Sequence, residues 1–302
     1  MLNLERIFQQ DRLMRAITGL NRKAFEELLA SFTSAYEQSL INPEVDRKRA
    51  VGGGRKATLG TMAEKLLYIL LYCKCYPTFD LLSVLFNFDR SCAHEWVHRL
   101  LPILETALGQ KQALPVRKLR SMEEFFELFP AVKEVILDGT ERPVQRPKDA
   151  DKQKDHYSGK KKRHSRKHIT GSTRKKRVII LTKARPGKVH DKRQLDEEDL
   201  VGNIPDQIPV EGDLGFKGLE NEFDNIHLPH KKPRGKELTA QQKQENREFS
   251  SQRVKCEHAH AGIKRYNSVT AVYRNRVPDF DDRLMLNAAG LWNFYLDVTE
   301  VA

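Results

Sequence analysis

The chain has 302 residues, with 53 Lys and Arg against 41 Asp and Glu, a formal charge of +12. Hydrophobic residues make up 39% and charged ones 31%, enough for a folded core under an unusually charged surface. That balance points to a polyanionic partner, nucleic acid before membrane. It argues against a disulfide framework, because Cys73, Cys75, Cys92 and Cys256 form no CxxC pair and fit reduced thiols in a cytosolic protein.

The longest apolar run, LLYILLYC from Leu66, is far short of the ~20 residues of a membrane span. The opening stretch MLNLERIFQQDR is charged throughout and does not read as a signal peptide, so a cytoplasmic location is expected.

The first hundred residues read as helical. RKAFEELLASFTSAYEQSL places Phe25, Leu28, Leu29, Phe32 and Tyr36 on one face. DRKRAVGGGRKATLG, basic and rich in glycine, reads as a joint or a backbone-contacting loop. Three helices are then expected over 61–75, 79–86 and 91–104, broken by YPT and NFD, with Asp89 or Ser91 as the last N-cap. Two short helices across a tight turn have the form of a helix-turn-helix, though the pattern also suits a plain helical bundle. In the third helix Trp96, Val97, Leu100 and Leu101 would face the core. Arg90, Ser91, Ala93, His94 and His98 would be free to face a groove.

After a basic linker and the short helix SMEEFFELF, the periodicity changes. KEVILDGT reads as a buried strand ending at Asp138. The stretch GKKKRHSRKH from Gly159 carries Lys160, Lys161, Lys162 and Arg163 with little aromatic interleaving. That favours tracking duplex phosphates over stacking on single strands; the alternative is a disordered basic loop. RHSRKHIT and KRVIILTKA are expected to pair around Gly171. DKRQLDEEDL reads as a polar helix, QIPVEGD as a strand closed by Asp213, and FDNIHLPH as a further strand. LTAQQKQENREFSSQRVKCEHAHAGIKRY is a long helix with Thr239 and Gln242 as its capping box. Strands alternating with helices give an α/β layered domain.

Asp138, Asp213 and Glu257 stand out by position, because strand ends and a packed helix can bring such distant residues together. Three converging carboxylates need a divalent cation, and Mg²⁺ suits, since it takes oxygen ligands and shares its waters with phosphate. Each acid alone also reads as a turn former or a solvated helix residue. Glu211, on the strand face of Asp213, is a substitute ligand. A zinc set from Cys256, His258, His260, His227 and His230 is disfavoured, because Cys256 and His258 point to different helix faces. The acidic run DEED at 196–199 reads as solvated surface.

DGT, GDLGFKG and RVKCEHAHAGIKRY, in that order and preceded by YPTFDLLSVLFNFDRSCAHEWVHRLLPIL, resemble the DDE transposases of bacterial insertion sequences. The likeness is to the group with an N-terminal helix-turn-helix, related to the Harbinger-like elements, and runs from about Thr58 to Tyr295. It implies an α/β fold: a ribonuclease-H-like catalytic domain, a mixed sheet flanked by helices, preceded by an all-α helix-turn-helix domain. The expected division is a helical segment at 1–50, the helix-turn-helix at 51–106, a linker with a short helix at 107–130, and the catalytic domain at 131–302.

The resemblance also implies that Asp138, Asp213 and Glu257 are the catalytic, metal-holding acids, with two Mg²⁺ (or Mn²⁺) per site. Arg253 and Lys264, as R-x3-E-x6-K around Glu257, would contact DNA phosphates, with Arg265 beside them. Ser250 stands where a related pattern carries tyrosine. The expected function is that of a transposase. It would bind terminal inverted repeats, cut and join DNA strands into target DNA without a covalent protein intermediate, and act as a homodimer or larger on double-stranded DNA at the bacterial nucleoid. The alternatives are a DNA-binding regulator or domesticated relative with a silent nuclease, and a nuclease without strand joining.

Overall fold

The structure, a computed structural model, describes residues 2–41 and 57–300; most of the basic glycine-rich stretch lies outside them. The chain divides into two compact units. One comprises Met1–Leu114, Ile263–Ala271 and Arg283–Ala302; the other comprises Pro115–Gly262 and Val272–Asp282.

The first unit opens with α1 (Leu4–Gln9), α2 (Asp11–Thr18) and α3 (Arg22–Leu40), followed by α4 (Met62–Cys75), α5 (Phe79–Phe86) and α6 (Arg90–Gln110). Side chains start these helices where expected. The Thr61 hydroxyl accepts the Glu64 N–H while Glu64 accepts the Thr61 N–H, a full capping box on α4. Thr78 caps α5. From Lys65 to Cys73 every residue of α4 is buried, the mark of a central helix apolar all round.

The α5–α6 turn passes through Asn87 in the left-handed region (φ 55°), and Asp89 occupies the N-cap position of α6. This is the expected helix-turn-helix, with two corrections. Helix α6 runs on to Gln110, because Ala107 and Leu108 extend its buried stripe beyond Leu104. Ala93 is not free for a groove: it is fully buried, and its carbonyl accepts the Tyr68 hydroxyl of α4 at 2.7 Å.

The second unit follows as α7 (Met122–Leu128), β1 (Val135–Pro143), α8 (Ala150–His156), β2 (Tyr157–Ser158), β3 (Arg163–Ser172), β4 (Val178–Leu181), β5 (Arg185–Pro186), α9 (Asp191–Glu198), β6 (Val210–Glu211), β7 (Ile226–His227) and α10 (Ala240–Lys264). The sheet runs β2-β3-β1-β6-β7, with β4 and β5 also paired to β3. β3 is antiparallel to β1 and β4, whereas β1, β6 and β7 are mutually parallel. Val135, Ile136 and Leu137 are all buried, so both faces of β1 are covered, as in a sheet flanked by helices. This mixed, helix-flanked sheet is ribonuclease-H-like. The capping box on α10 forms as read, with Thr239 and Gln242 exchanging bonds at 3.1 Å.

Two strand readings are corrected. Asp138 does not close β1; it lies in its middle, because the strand continues to Pro143 against β3. Gly171 is not the hairpin turn: it sits inside β3, between Leu137 and Ile180, next to a bulge. A Cβ there would stand 3.1 Å from Val135 and 3.2 Å from Ile180, so glycine serves close strand packing. The turn proper is made around Lys176, whose φ is 64°.

The chain ends with α11 (Asn267–Thr270) and α12 (Phe280–Glu300). The helical unit thus takes residues 263–271 and 283–302 from the stretch expected to be wholly catalytic.

Candidate active site

The parallel register between β1 and β6 pairs Val135 with Val210 and Ile136 with Glu211. Asp138 and Asp213 each lie two residues beyond the last of these pairs. Pairing stops at Glu211, so both acids lie just past the carboxyl end of the parallel ladder, where open α/β sheets form their crevices. Asp213 is also a cap: its Oδ1 accepts the Gly215 N–H at 2.8 Å, starting a short 3₁₀ turn over Leu214–Phe216. Lys160, at the exposed β2–β3 turn, brings its Nζ to 4.0 Å from Asp213 Oδ2; Lys161, Lys162 and Arg163 are exposed beside it.

Asp138 is held by its own strand and by α10. Its Oδ1 accepts the Gly139 N–H at 2.9 Å, and its Oδ2 lies 3.2 Å from His260 Nδ1. The other ring nitrogen of His260 lies 2.6 Å from the Thr170 hydroxyl, which is directly across the ladder from Asp138. Both ring nitrogens are thus engaged, and the Thr170 hydroxyl also donates to the Asp138 carbonyl at 3.2 Å. Arg253 stands 3.8 Å from Asp138, too far for a hydrogen bond. Burial, the largest influence, pushes the Asp138 carboxyl up. The His260 bond and charge, the Arg253 charge and the Gly139 N–H together outweigh it and hold the group below the usual carboxylate range.

Helix α10 presents Arg253, Cys256 and His260 toward β1, three and four residues apart, on one stripe. Glu257, four residues past Arg253, is exposed on the flank of that stripe. The division between the units falls within the last turn of α10, after Gly262, so Lys264, which ends the helix, and Arg265 belong to the helical unit. There Arg265 donates to the Gly19 carbonyl at 2.6 Å and lies over the Tyr295 ring at 4.4 Å.

In the sequence His260 stands out only within the zinc set. That set does not gather: His258 is exposed, while His227 and His230 line a separate cleft of about 470 Å³ between the loop after Asp213 and α10. Cys256 and His260 instead meet Asp138, with ligand atoms all within 4.8 Å of one another. Burial pushes the Cys256 thiol up to about 12, so it stays protonated, and the hard oxygen donors that Mg²⁺ prefers are the carboxylates. Glu211 is buried and paired with Arg174 at 3.1 Å, so it is committed elsewhere. Among the described residues Asp138 accepts from Gly139 and His260 only, which leaves it lone pairs, and the exposed part of the site is carboxylate and lysine, which fits a hydrated divalent cation with phosphate.

On the helix-turn-helix, Arg90, Ser91 and His94 are exposed on α6. Arg90 pairs with Asp80 at 3.3 Å, both side chains mostly in solvent. His98 is half-buried, its ring 4.2 Å from that of His94. Burial, then the charges of His94 and Arg283, hold it below the usual histidine range.

Comparison with known proteins gives the family. The family model described as DDE superfamily endonuclease matches residues 137–293, and that described as helix-turn-helix of DDE superfamily endonuclease matches residues 58–110. The chain is 28% identical, over 94% of its length and 95% of the relative's, to a probable transposase for insertion sequence element IS702 from Microchaete diplosiphon. No solved structure matches it. A nuclease match that starts on the strand carrying Asp138 and runs past α10, behind a matched helix-turn-helix, places the chain in the DDE superfamily of transposase endonucleases.

Proposed function

We propose that the protein is an active transposase. It binds the terminal inverted repeats of its element through α5 and α6 and performs metal-dependent strand cleavage and strand transfer at Asp138, Asp213 and Glu257. The observation that supports this reading is that Asp138 and Asp213 both follow the end of the parallel β1–β6 ladder, with Arg253 and His260 of α10 lying against Asp138. The three carboxylates would hold Mg²⁺ or Mn²⁺, two ions per site. Bound there, such ions activate a water or a 3′-hydroxyl and stabilise the leaving oxygen.

The chain's own groups do the rest. His260 orients the Asp138 carboxylate and keeps it ionised. Lys160, with Lys161, Lys162 and Arg163 beside it, offers charge to the DNA backbone next to Asp213. Arg253, Lys264 and Arg265 are assigned to phosphates near the cut, with Arg253 first because it already faces Asp138. Arg90, Ser91, His94 and His98 would read base edges in the major groove. No helix among the described residues is long and apolar enough to cross a membrane, and the protein would act in the cytoplasm at the nucleoid, as a homodimer or larger on paired ends.

The test incubates the full chain with Mg²⁺ and duplex DNA carrying the inverted repeats that flank its gene. Cut and joined products are expected, with Asp213→Ala binding the same DNA but cutting none. A parent protein that binds ends without cutting them overturns the reading in favour of a regulator.

A further inference from the structure

Asp191 plays no part in the site as read from the sequence. It is the first residue of α9, within a stretch that reads as polar surface, yet its side chain is 13% exposed. Two glycines are vacated for it. A Cβ on Gly139, the residue after Asp138, would stand 3.3 Å from both Asp191 carboxylate oxygens. A Cβ on Gly215, two residues after Asp213, would stand 2.8 Å from Asp191 Oδ2 and also 2.8 Å from Asp213 Oδ1. No positive φ is required at either position, so the need for glycine there is space, not backbone conformation. Lys167, buried on β3, fixes the carboxylate from behind: its Nζ lies 2.8 Å from Asp191 Oδ1 and donates to the Val189 carbonyl at 2.8 Å.

The geometry points to Asp191 as a positioning residue that locks the β1 backbone at Asp138 and the Asp213 turn into one rigid frame, and so sets the affinity of the carboxylate site for its divalent cation. The inference rests on the proposed metal centre. Supporting groups one step behind a metal site are worth about 10–100-fold in metal affinity.

The test is Mn²⁺ binding to the full chain, followed as loss of the free-ion paramagnetic resonance signal, together with thermal unfolding. Asp191→Asn is expected to weaken binding about 10–100-fold. Because that change strands Lys167, Lys167→Met/Asp191→Asn is the companion variant. It is expected to unfold near the parent temperature and still bind Mn²⁺ weakly, a result that a merely structural ion pair does not give. Gly139→Ala is expected to weaken binding in the parent and to add nothing in the Asp191→Ala background, since the atoms it displaces belong to Asp191. Parent-like affinity in both Asp191→Asn proteins, with binding lost in Asp213→Asn, overturns this inference alone. No Mn²⁺ binding by the parent, or parent-like binding by Asp213→Asn, overturns the metal centre and this inference with it.

Discussion

The sheet unit contains two aspartates built alike and filled differently. Asp138 lies between His260 and Arg253, and Asp282 between His168 and Arg117. Both carboxyls are held below the usual range against the pull of burial. Asp282 is the more fully engaged: Arg117 grips both oxygens at 2.5 and 2.6 Å, and His168 and the Ala184 N–H add bonds at 3.1 and 2.9 Å to Oδ1. Asp138 takes one backbone bond and one histidine, and its arginine stands off at 3.8 Å. A carboxylate offers about four acceptor positions. Among the described residues Asp282 receives four donor contacts, three of them on Oδ1, and Asp138 receives two, which leaves Asp138 more room for a cation. The same three residue types thus make a structural clasp in one place and an open site in the other.

Mutation should separate the two. The largest effect is expected at the open one: Asp138→Ala should lower DNA cleavage at least about 100-fold in a timed assay with Mg²⁺, with end binding retained. Asp282→Ala should do the reverse. Breaking a largely buried pair costs about 3 kcal/mol, so denaturant unfolding should shift markedly while cleavage per folded molecule changes little.

Acid tests the clasp from another side. His168 is fully buried, and burial outweighs Asp282 in setting its affinity for protons, so it is held neutral. Its unpaired buried Nδ1 agrees, since a second N–H there would lack an acceptor. The unfolded chain takes up this proton first. Stability should therefore be full above the unfolded histidine value near 6.5 and fall as pH drops below it, by at most about 1.4 kcal/mol per pH unit. Asp282 adds a further loss only at lower pH, below its unfolded value near 3.8. Unfolding curves at pH 7 and 5 should show the first effect in the parent and lose it in His168→Gln. The smallest change is expected away from both clusters: Arg90→Ala should relax sequence discrimination in end binding by about 1 kcal/mol, read from competition between end-bearing and unrelated duplexes.

Much of this was legible in the sequence wherever the signal was local. The Thr239 capping box, the NFD turn and the helical spacing of α4 to α6 are written within a few residues of themselves. The errors were non-local. Nothing in KEVILDGT tells that β3 will carry the strand on past Asp138, and nothing around Gly171 tells that strands will flank it on both sides. Asp191 was hidden because DKRQLDEEDL has the composition of a solvated helix. Only the glycines after Asp138 and Asp213 hinted that something must fit against them, and spacing does not say what. His260 was obscured by its neighbours, since a run such as CEHAH suggests zinc until the helix face separates its members.

The most direct check of the open-against-closed distinction is Mn²⁺ affinity in Asp138→Asn and Asp282→Asn, each measured with its unfolding temperature. The account predicts that Asp138→Asn loses the ion while remaining folded, and that Asp282→Asn unfolds at a lower temperature yet binds as the parent does. Equal affinity in the parent and in Asp138→Asn would contradict it.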